Sequence, residues 1–243
     1  MPLKELAERR NLLHRKSDAQ TVLRHALEDV QIGDVALVSS FGAESVVLLH
    51  MAAQINKDVP VIFLDTEMLF DETLQYQRDV AAKLGLTDVR VVSPDRAQVM
   101  EHDVDGILHL ADTDACCNLR KTRPLDRSLE GFDAWVSGRK RFQGGNRAKL
   151  EFFEPGTDFP RVKVNPLAHW DPSDVQDYIV NNRLKRHPLV RQGYKSIGCA
   201  PCTTPVSDGE DPRAGRWRNQ GKTECGIHLA SGQLAKLRSD LDI

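Results

Sequence analysis

Short apolar runs alternate with helical stretches along the first half of the chain, and this alternation restricts the fold more than any other feature. Four apolar runs have the length of buried strands, at 35–38, 59–64, 89–92 and 134–137. Apolar positions with helical spacing lie between the first three runs, over 46–54 and 71–84. Strands that alternate with helices predict a mostly parallel, twisted sheet with helices on both faces, which is an α/β fold.

Two helices are predicted before the first strand. Apolar residues have helical spacing through 3–30, with a break near Ser17 and Asp18, where a second helix can be capped. The chain has 243 residues, of which 40% are hydrophobic, and this is enough for one substantial core. We therefore expect a single domain.

The alternating pattern becomes weaker after Gly145. A short strand is predicted at 162–167, followed by a helix from Asp171 with Pro172 in its first turn. Residues 207–221 have no apolar periodicity, which is typical of a functional lid or a disordered tail. The single domain is thus predicted to consist of N-terminal helices (1–30), a core (31–206) and a flexible C-terminal tail (207–243).

The charge and hydropathy of the chain exclude some classes of protein. With 33 Lys and Arg against 35 Asp and Glu, the formal net charge is −2, unlike that of proteins that bind nucleic acid through a strongly basic field. No stretch reaches the roughly 18 apolar residues of a membrane span, and the charged N-terminus has no apolar segment of signal-peptide length. We expect a cytoplasmic protein that binds neither nucleic acid nor membrane. Its oligomeric state stays open, with a homo-oligomer among the options.

Four of the five cysteines form two pairs that are far apart in the sequence. Cys116 and Cys117 are adjacent, and Cys199 and Cys202 form a C-x-x-C motif. Two separated pairs are typical of a four-thiolate metal site, and the spacing suits zinc or an iron–sulfur cluster equally. Buried cysteines without a metal are one alternative. A redox-active C-x-x-C is another, although that motif normally opens a helix after the first strand of its fold.

Polar and basic residues are predicted near the edge of the sheet where α/β proteins bind ligands. The segment SSFGAES (39–45) follows the first strand, and its N–H groups and hydroxyls can either bind an anion or simply cap the next helix. Basic residues form three groups: Arg120, Lys121 and Arg123; Arg139, Lys140, Arg141 and Arg147; Arg213, Arg216, Arg218 and Lys222. Such groups are either solvated surface or the binding site of a small polyanion.

Seven segments resemble, in order along the chain, the sulfonucleotide reductases of assimilatory sulfate reduction. They are SSFGAES, FLDTEMLFDET, CCNLRK, NPLAHWDPSDVQDYI, HPLVRQGYKSIGCAPCTTP, GEDPRAGRW and KTECGIH. Together they extend from Ser39 to His228, and the two cysteine pairs are similar to those of the iron–sulfur adenylylsulfate reductases. The resemblance implies a Rossmann-like PP-loop domain of the adenine nucleotide α-hydrolase type, with a mobile C-terminal tail.

The resemblance also implies roles for individual residues. A 4Fe-4S cluster is expected on Cys116, Cys117, Cys199 and Cys202, and the nucleophile is expected to be Cys225. The expected substrate-binding residues are Ser39, Ser40, Phe41, Gly42, Asp65, Lys121, Arg141, Arg213, Arg216 and His228. His228 is alternatively a surface histidine without a catalytic role. Because GRKRFQGGNR (138–147) departs from the usual Gly-Leu-Arg-Arg run, the choice of Arg141 among its arginines stays open.

By this resemblance, thioredoxin or a glutaredoxin-like dithiol reduces adenylylsulfate to sulfite and AMP through an S-sulfonated Cys225. A thiolate is suited to attack sulfur and to be released by thiol exchange, and the cluster has a structural and electrostatic role because the electrons come from thiols. A reductase for the 3′-phosphorylated nucleotide, or for both nucleotides, is the closest alternative. A zinc-binding module without activity is a remote one. An ATP pyrophosphatase is disfavoured because the Gly-Gly-x-Asp-Ser loop is missing.

Overall fold

A computed structural model describes residues 1–156, 161–218, 220 and 222–228. Its six-stranded sheet has the order β3-β2-β1-β4-β6-β5. The strands are β1 (Val35–Val38), β2 (Val61–Leu64), β3 (Val89–Val92), β4 (Ala134–Val136), β5 (Phe153–Pro155) and β6 (Val162–Val164). All neighbouring strands are parallel except β5, which runs antiparallel to β6 at one edge. The predicted α/β fold with a mostly parallel sheet is confirmed.

The helices of the described residues are α1 (Leu3–His14), α2 (Ala19–Glu28), α3 (Ser45–Ile55), α4 (Asp71–Leu84), α5 (Arg96–His102), α6 (Leu108–Ala111), α7 (Thr113–Cys117), α8 (Arg123–Ser128) and α9 (Pro172–Asn181). A π-helical turn, Asn118–Thr122, joins α7 to α8. Short 3₁₀ turns lie at Arg141–Gln143, Gly145–Arg147, Pro188–Gln192, Ala200–Cys202 and Gly226–His228. None of the helices described here is long and apolar enough to cross a membrane.

The predicted break between the first two helices is confirmed, because the Asp18 side chain accepts a hydrogen bond from the Thr21 N–H and caps α2. The predicted strands and long helices are also present, within three residues at their ends. The short helices α5 to α8 and the antiparallel strand β5 were not predicted. Segments of four to seven residues are too short to show helical periodicity.

Side chains of β1, β2 and β4 alternate between two apolar clusters, one on each face of the sheet. Val35 and Leu37 point into the larger cluster, which α1 to α4 and α9 cover. Ala36 points into the smaller cluster on the other face, where Leu125 and Leu129 pack. Helices therefore lie on both faces, as predicted, and the loops at the carboxyl ends of the strands stay available for a site.

The described residues of the predicted tail, 207–218, 220 and 222–228, form turns rather than long regular elements, yet they pack against the protein. Arg216 makes an isolated β-bridge with Thr203, and the Trp217 ring is buried against Cys199, Cys202 and Cys225. This part of the predicted tail is therefore docked at the sheet edge. The rest of the predicted tail, 229–243, lies outside the described residues.

Candidate active site

A cavity of about 230 Å³ opens at the carboxyl ends of β1 and β4. Its wall includes the loop after β1, the loop after β4, the π-helical turn, the segment 195–198 and the docked tail. The lining residues include Ser39, Ser40, Gly42, Lys121, Arg139, Lys140, Arg147, Arg213, Arg216, Glu224, Cys225 and His228. A ligand in this cavity would contact both the sheet and the tail.

The loop after β1 is held in shape by its own side chains. The Phe41 N–H donates to Ser39 Oγ at 3.2 Å, and the Gly42 N–H donates to Ser45 Oγ at 3.0 Å. Phe41 has a positive φ of 46°, which is uncommon for an aromatic residue, while its ring is fully buried against Phe63. The buried ring of Phe41 thus anchors the loop to the apolar core, and Ser39, Ser40 and Gly42 line the cavity.

Positive charge predominates in the cavity. Seven Lys or Arg side chains line it against three carboxylates, those of Glu44, Asp211 and Glu224. The cationic residues are Lys121, Arg139, Lys140, Arg147, Lys195, Arg213 and Arg216. An excess of cations in a concave site favours an anionic ligand.

Two of these cations have no carboxylate partner among the described residues, namely Lys121 and Arg216. The Arg216 guanidinium lies 4.4 Å over the Trp217 ring, and its Nε is buried without a hydrogen-bond partner. Gly198 makes this position possible, because a Cβ there would overlap the guanidinium. Burial opposes the charge of Lys121, but the neighbouring Cys199 and Cys225 sulfurs outweigh it and raise the pKa of the ammonium. Both side chains are therefore charged and available to an anion.

The four paired cysteines are buried beside the cavity as free thiols. One pair ends α7, and the other flanks the 3₁₀ turn Ala200–Cys202, where Cys199 Sγ lies 3.2 Å from Thr66 Oγ1. Burial, followed by the nearby charge of Cys199, raises the pKa of Cys116 to about 12. Four sulfur donors buried close together are typical of a site that binds a metal as thiolates. The donor set therefore fits a thiolate-bound metal centre.

Among the described residues, no three His, Cys, Asp or Glu side chains are placed to hold a single metal ion. The chemistry of the four cysteines, rather than a preformed mononuclear geometry, is what indicates the centre.

Cys225 lies at the wall of the cavity and is buried by Trp217, Cys199 and Cys202. The pKa of the Cys225 thiol is lowered well below its usual range, and the largest cause is a hydrogen bond from the Cys117 thiol. Burial acts in the opposite direction and raises this pKa. The positive charge of Lys121 lowers it further. If Cys117 binds a metal as a thiolate, it has no proton to donate. The Lys121 and Lys222 charges and the Ile227 N–H then remain to favour the Cys225 thiolate.

Glu224, the residue before Cys225, joins the tail to the core. Its carboxylate accepts two hydrogen bonds from Arg147, one of them from Nη2 at 2.7 Å, and lies 3.5 Å from Arg213. The Cys225 N–H donates to the same carboxylate at 3.0 Å. The backbone that carries Cys225 is therefore held by an ion pair whose two side chains are almost fully buried.

His228 is half-buried and lines the cavity, unlike a plain surface histidine. Its Nδ1 lies 3.0 Å from Lys163 Nζ, and its ring stacks on Trp135. Burial, followed by the charge of Lys163, lowers the pKa of His228 well below the usual range, so the ring is neutral. A neutral imidazole can act here only as a hydrogen-bonding group.

Three of the predicted substrate-binding residues are not at the cavity wall. Phe41 is in the apolar core, and the Asp65 side chain accepts the Glu67 N–H at 2.9 Å. Arg141 instead donates to the Leu150 carbonyl and pairs with Glu151. The other predicted residues meet at the cavity: Ser39, Ser40, Gly42, Lys121, Arg213, Arg216, Cys225 and His228.

The sequence placed Arg139 and Arg147 in a basic group without selecting them over Arg141, and it gave no role to Glu224 or to Lys163, which contacts His228. Arg139 and Arg147 lie in the same basic run as Arg141. The run therefore indicated an anion-binding segment, but not which of its arginines line the cavity. Glu224 could have been found from its position beside Cys225. No pattern in the sequence singles out Lys163.

Comparisons with known proteins agree with this geometry. A family model for the phosphoadenosine phosphosulfate reductase domain matches residues 34–205. A Mesorhizobium japonicum protein named adenosine 5′-phosphosulfate reductase is 49% identical over 209 residues, which is 86% of this chain and 82% of that protein. A protein of the same name from Oceanobacillus iheyensis is 40% identical over 215 residues, which is 87% of this chain and 88% of that protein. Among solved structures, a phosphoadenylyl-sulfate reductase from Candida auris, in a phosphate complex, has a TM-score of 0.70 and 27% identity, and the match covers 83% of this chain and 97% of that one.

Proposed function

The chain belongs to the phosphoadenosine phosphosulfate reductase family, and we propose that it reduces adenosine 5′-phosphosulfate to sulfite and AMP with electrons from a protein dithiol. The observation that carries this proposal is the position of Cys225. Its sulfur lies at the wall of a cationic cavity, beside Lys121, on a chain that has four further cysteines in two pairs. A nucleophilic thiolate at an anion site is what attack on a sulfonucleotide requires.

In the first step, the Cys225 thiolate attacks the sulfur of the sulfate group. A new S–S bond forms, the bond between this sulfur and the bridging phosphate oxygen breaks, and AMP leaves with the electron pair. Lys121 and Arg216, which have no carboxylate partner among the described residues, bind the negative charge that develops on the phosphate. Each well-placed donor of this kind contributes about 3 to 4 kcal/mol of transition-state stabilisation.

In the second step, a thiolate of thioredoxin or a glutaredoxin-like dithiol attacks the Cys225 sulfur. Sulfite leaves with the electron pair, a mixed disulfide forms, and the second thiol of the reductant resolves it. Because Cys225 is only 8% exposed in the docked tail, the tail has to release it before another protein can reach it. Reactions that depend on reduced thiols fit the cytoplasm.

The four paired cysteines, Cys116, Cys117, Cys199 and Cys202, would hold a 4Fe-4S cluster. When bound, such a cluster supplies rigid support and an electrostatic field beside the site. Zinc is the alternative for the same four thiolates. Purified protein should contain iron and acid-labile sulfide, and one zinc without sulfide would overturn the iron assignment.

The 3′-phosphorylated sulfonucleotide is the second candidate substrate, because the Candida auris relative is named for it. The relatives at 40% and 49% identity are named for the nucleotide without the 3′-phosphate, and we propose that one as the substrate. Steady-state rates with each nucleotide and thioredoxin decide between them. We expect the larger kcat/KM for adenosine 5′-phosphosulfate.

The mechanism is tested by mixing the enzyme with adenosine 5′-phosphosulfate in the absence of a reductant. One equivalent of AMP should be released, and the peptide that contains Cys225 should gain the mass of one SO₃ group. Cys225→Ser should still bind AMP but form no sulfite. Normal sulfite formation by this variant, or the added mass on another residue, would show that the proposed mechanism is wrong.

A further inference from the structure

We propose that Glu224 is a positioning residue with an ion-pair latch: its carboxylate holds Cys225 at the cavity by binding Arg147 and Arg213, and an anion in the cavity competes with it for these arginines. The latch is defined as these three side chains, Glu224, Arg147 and Arg213. The inference rests on the proposed function for the identity of the anion and for the role of Cys225.

The latch connects three separate parts of the chain. Arg147 ends the 3₁₀ turn in the loop after β4, whereas Arg213 comes from the docked tail and also donates to the Thr223 carbonyl at 3.0 Å. Glu224 lies between the two arginines, and its side chain is 6% exposed. A bidentate, charge-assisted pair with this degree of burial is directional, so it defines where the backbone of Cys225 lies.

The same three side chains also belong to the wall of the cavity. While Glu224 binds them, its carboxylate balances part of the positive charge of Arg147 and Arg213, so the two arginines are less able to bind a phosphate or sulfate group. A sulfonucleotide brings both groups and is a stronger competitor than a lone carboxylate. Holding the nucleophile and binding the anion therefore draw on the same two arginines.

Removing only the charge of Glu224 should separate these two effects. In Glu224→Gln, both arginines lose the charge of Glu224, so AMP and inorganic phosphate should bind about tenfold more tightly by calorimetry. The first-turnover rate of Cys225 sulfonation at saturating nucleotide should fall about tenfold, because the nucleophile is held less well. A residue with a merely structural role would not strengthen AMP binding.

Accessibility of Cys225 gives a readout that does not depend on turnover. Iodoacetamide should alkylate Cys225 about tenfold faster in Glu224→Gln, as followed by peptide mass at a pH where the rate no longer depends on pH. Glu224→Asp keeps the negative charge on a shorter side chain. Its alkylation rate should lie between those of the wild type and Glu224→Gln. It also provides a test if the Gln variant does not fold.

Glu210→Gln is the matched control, since Glu210 pairs with Arg218 in the same tail but neither residue lines the cavity. This control should behave like the wild type in all three measurements. Unchanged alkylation and unchanged AMP affinity in Glu224→Gln would overturn the latch. Failure of wild-type Cys225 to become sulfonated would instead overturn the proposed function, and the alkylation result would still stand by itself.

Discussion

The apolar face of the sheet and the docked tail are both buried, but they are buried by different interactions. Leu23, Leu37 and Val136 are fully buried among other apolar side chains, where contact is non-directional. In the tail, Glu224 is nearly as well buried, but through ion pairs with arginines that also line the cavity. We infer from this difference that the sheet face contributes most to the free energy of unfolding. The ion pairs of the tail can instead be replaced by contacts with an anionic ligand.

The largest effect on stability should come from the sheet face. Leu23→Ala removes a fully buried side chain of α2, remote from the cavity wall, and should lower the free energy of unfolding by about 2 to 5 kcal/mol. The kcat of the folded fraction should not change. Urea unfolding and activity measured on the same preparation check this, and a parallel loss of kcat would break the comparison.

Acid should lower the free energy of unfolding through His187. This side chain is fully buried, with one ring nitrogen 3.0 Å from Thr73 Oγ1 and the other accepting the Leu189 N–H. Burial lowers the pKa of His187 to about 4, against 6.5 in the unfolded chain. Its contribution to stability is therefore complete above pH 6.5 and is lost as the pH falls towards 4. The loss is on the order of 3 kcal/mol.

The check for His187 is urea unfolding at pH 7 and pH 4.5. His187→Asn keeps an acceptor for the Leu189 N–H but does not titrate in this range, so it should lose much of this pH dependence. An identical pH dependence in the variant would assign the acid sensitivity to other groups.

Arg216→Ala, in the tail, should have the opposite effect to Leu23→Ala: it should lower activity and leave stability nearly unchanged. Arg216 has no carboxylate partner among the described residues, so its loss should weaken AMP binding and lower kcat/KM by a factor equivalent to about 1.5 to 3 kcal/mol, with little change in the free energy of unfolding. Arg218→Ala is the matched control, because Arg218 pairs with Glu210 away from the cavity. Equal effects of the two variants on AMP binding and kcat/KM would show that Arg216 does not bind the ligand.

The smallest effect should come from Arg141→Ala. Arg141 pairs with the exposed Glu151, and such surface pairs contribute about 0 to 1 kcal/mol. We expect kcat/KM within about threefold of the wild type, whereas Arg147→Ala should lower the rate of Cys225 sulfonation. A large loss in Arg141→Ala would restore Arg141 as the substrate-binding arginine of its run.

The sequence predicted most strands and the long helices because these elements have a local signal. The strands β1, β2 and β4 are continuous apolar runs, and α4 shows apolar positions at helical spacing over 14 residues. The short helices α5 to α8 have no such signal, and their positions depend on contacts such as the buried pair of Arg120 with Asp103. The vicinal cysteines were found, but the π-helical turn that follows them was not.

The sequence by itself determined the α/β class, the two cysteine pairs, the isolated Cys225 and the group of tail arginines, because apolar period and residue chemistry are local properties. Only the tertiary structure decided that Arg147 rather than Arg141 lines the cavity, and that Glu224 binds Arg147 across 77 positions of the chain. The physical reason is that an ion pair depends on distance in space. Neighbours in a basic run have the same charge, and the turn of the backbone sends one side chain to the cavity and another to the surface.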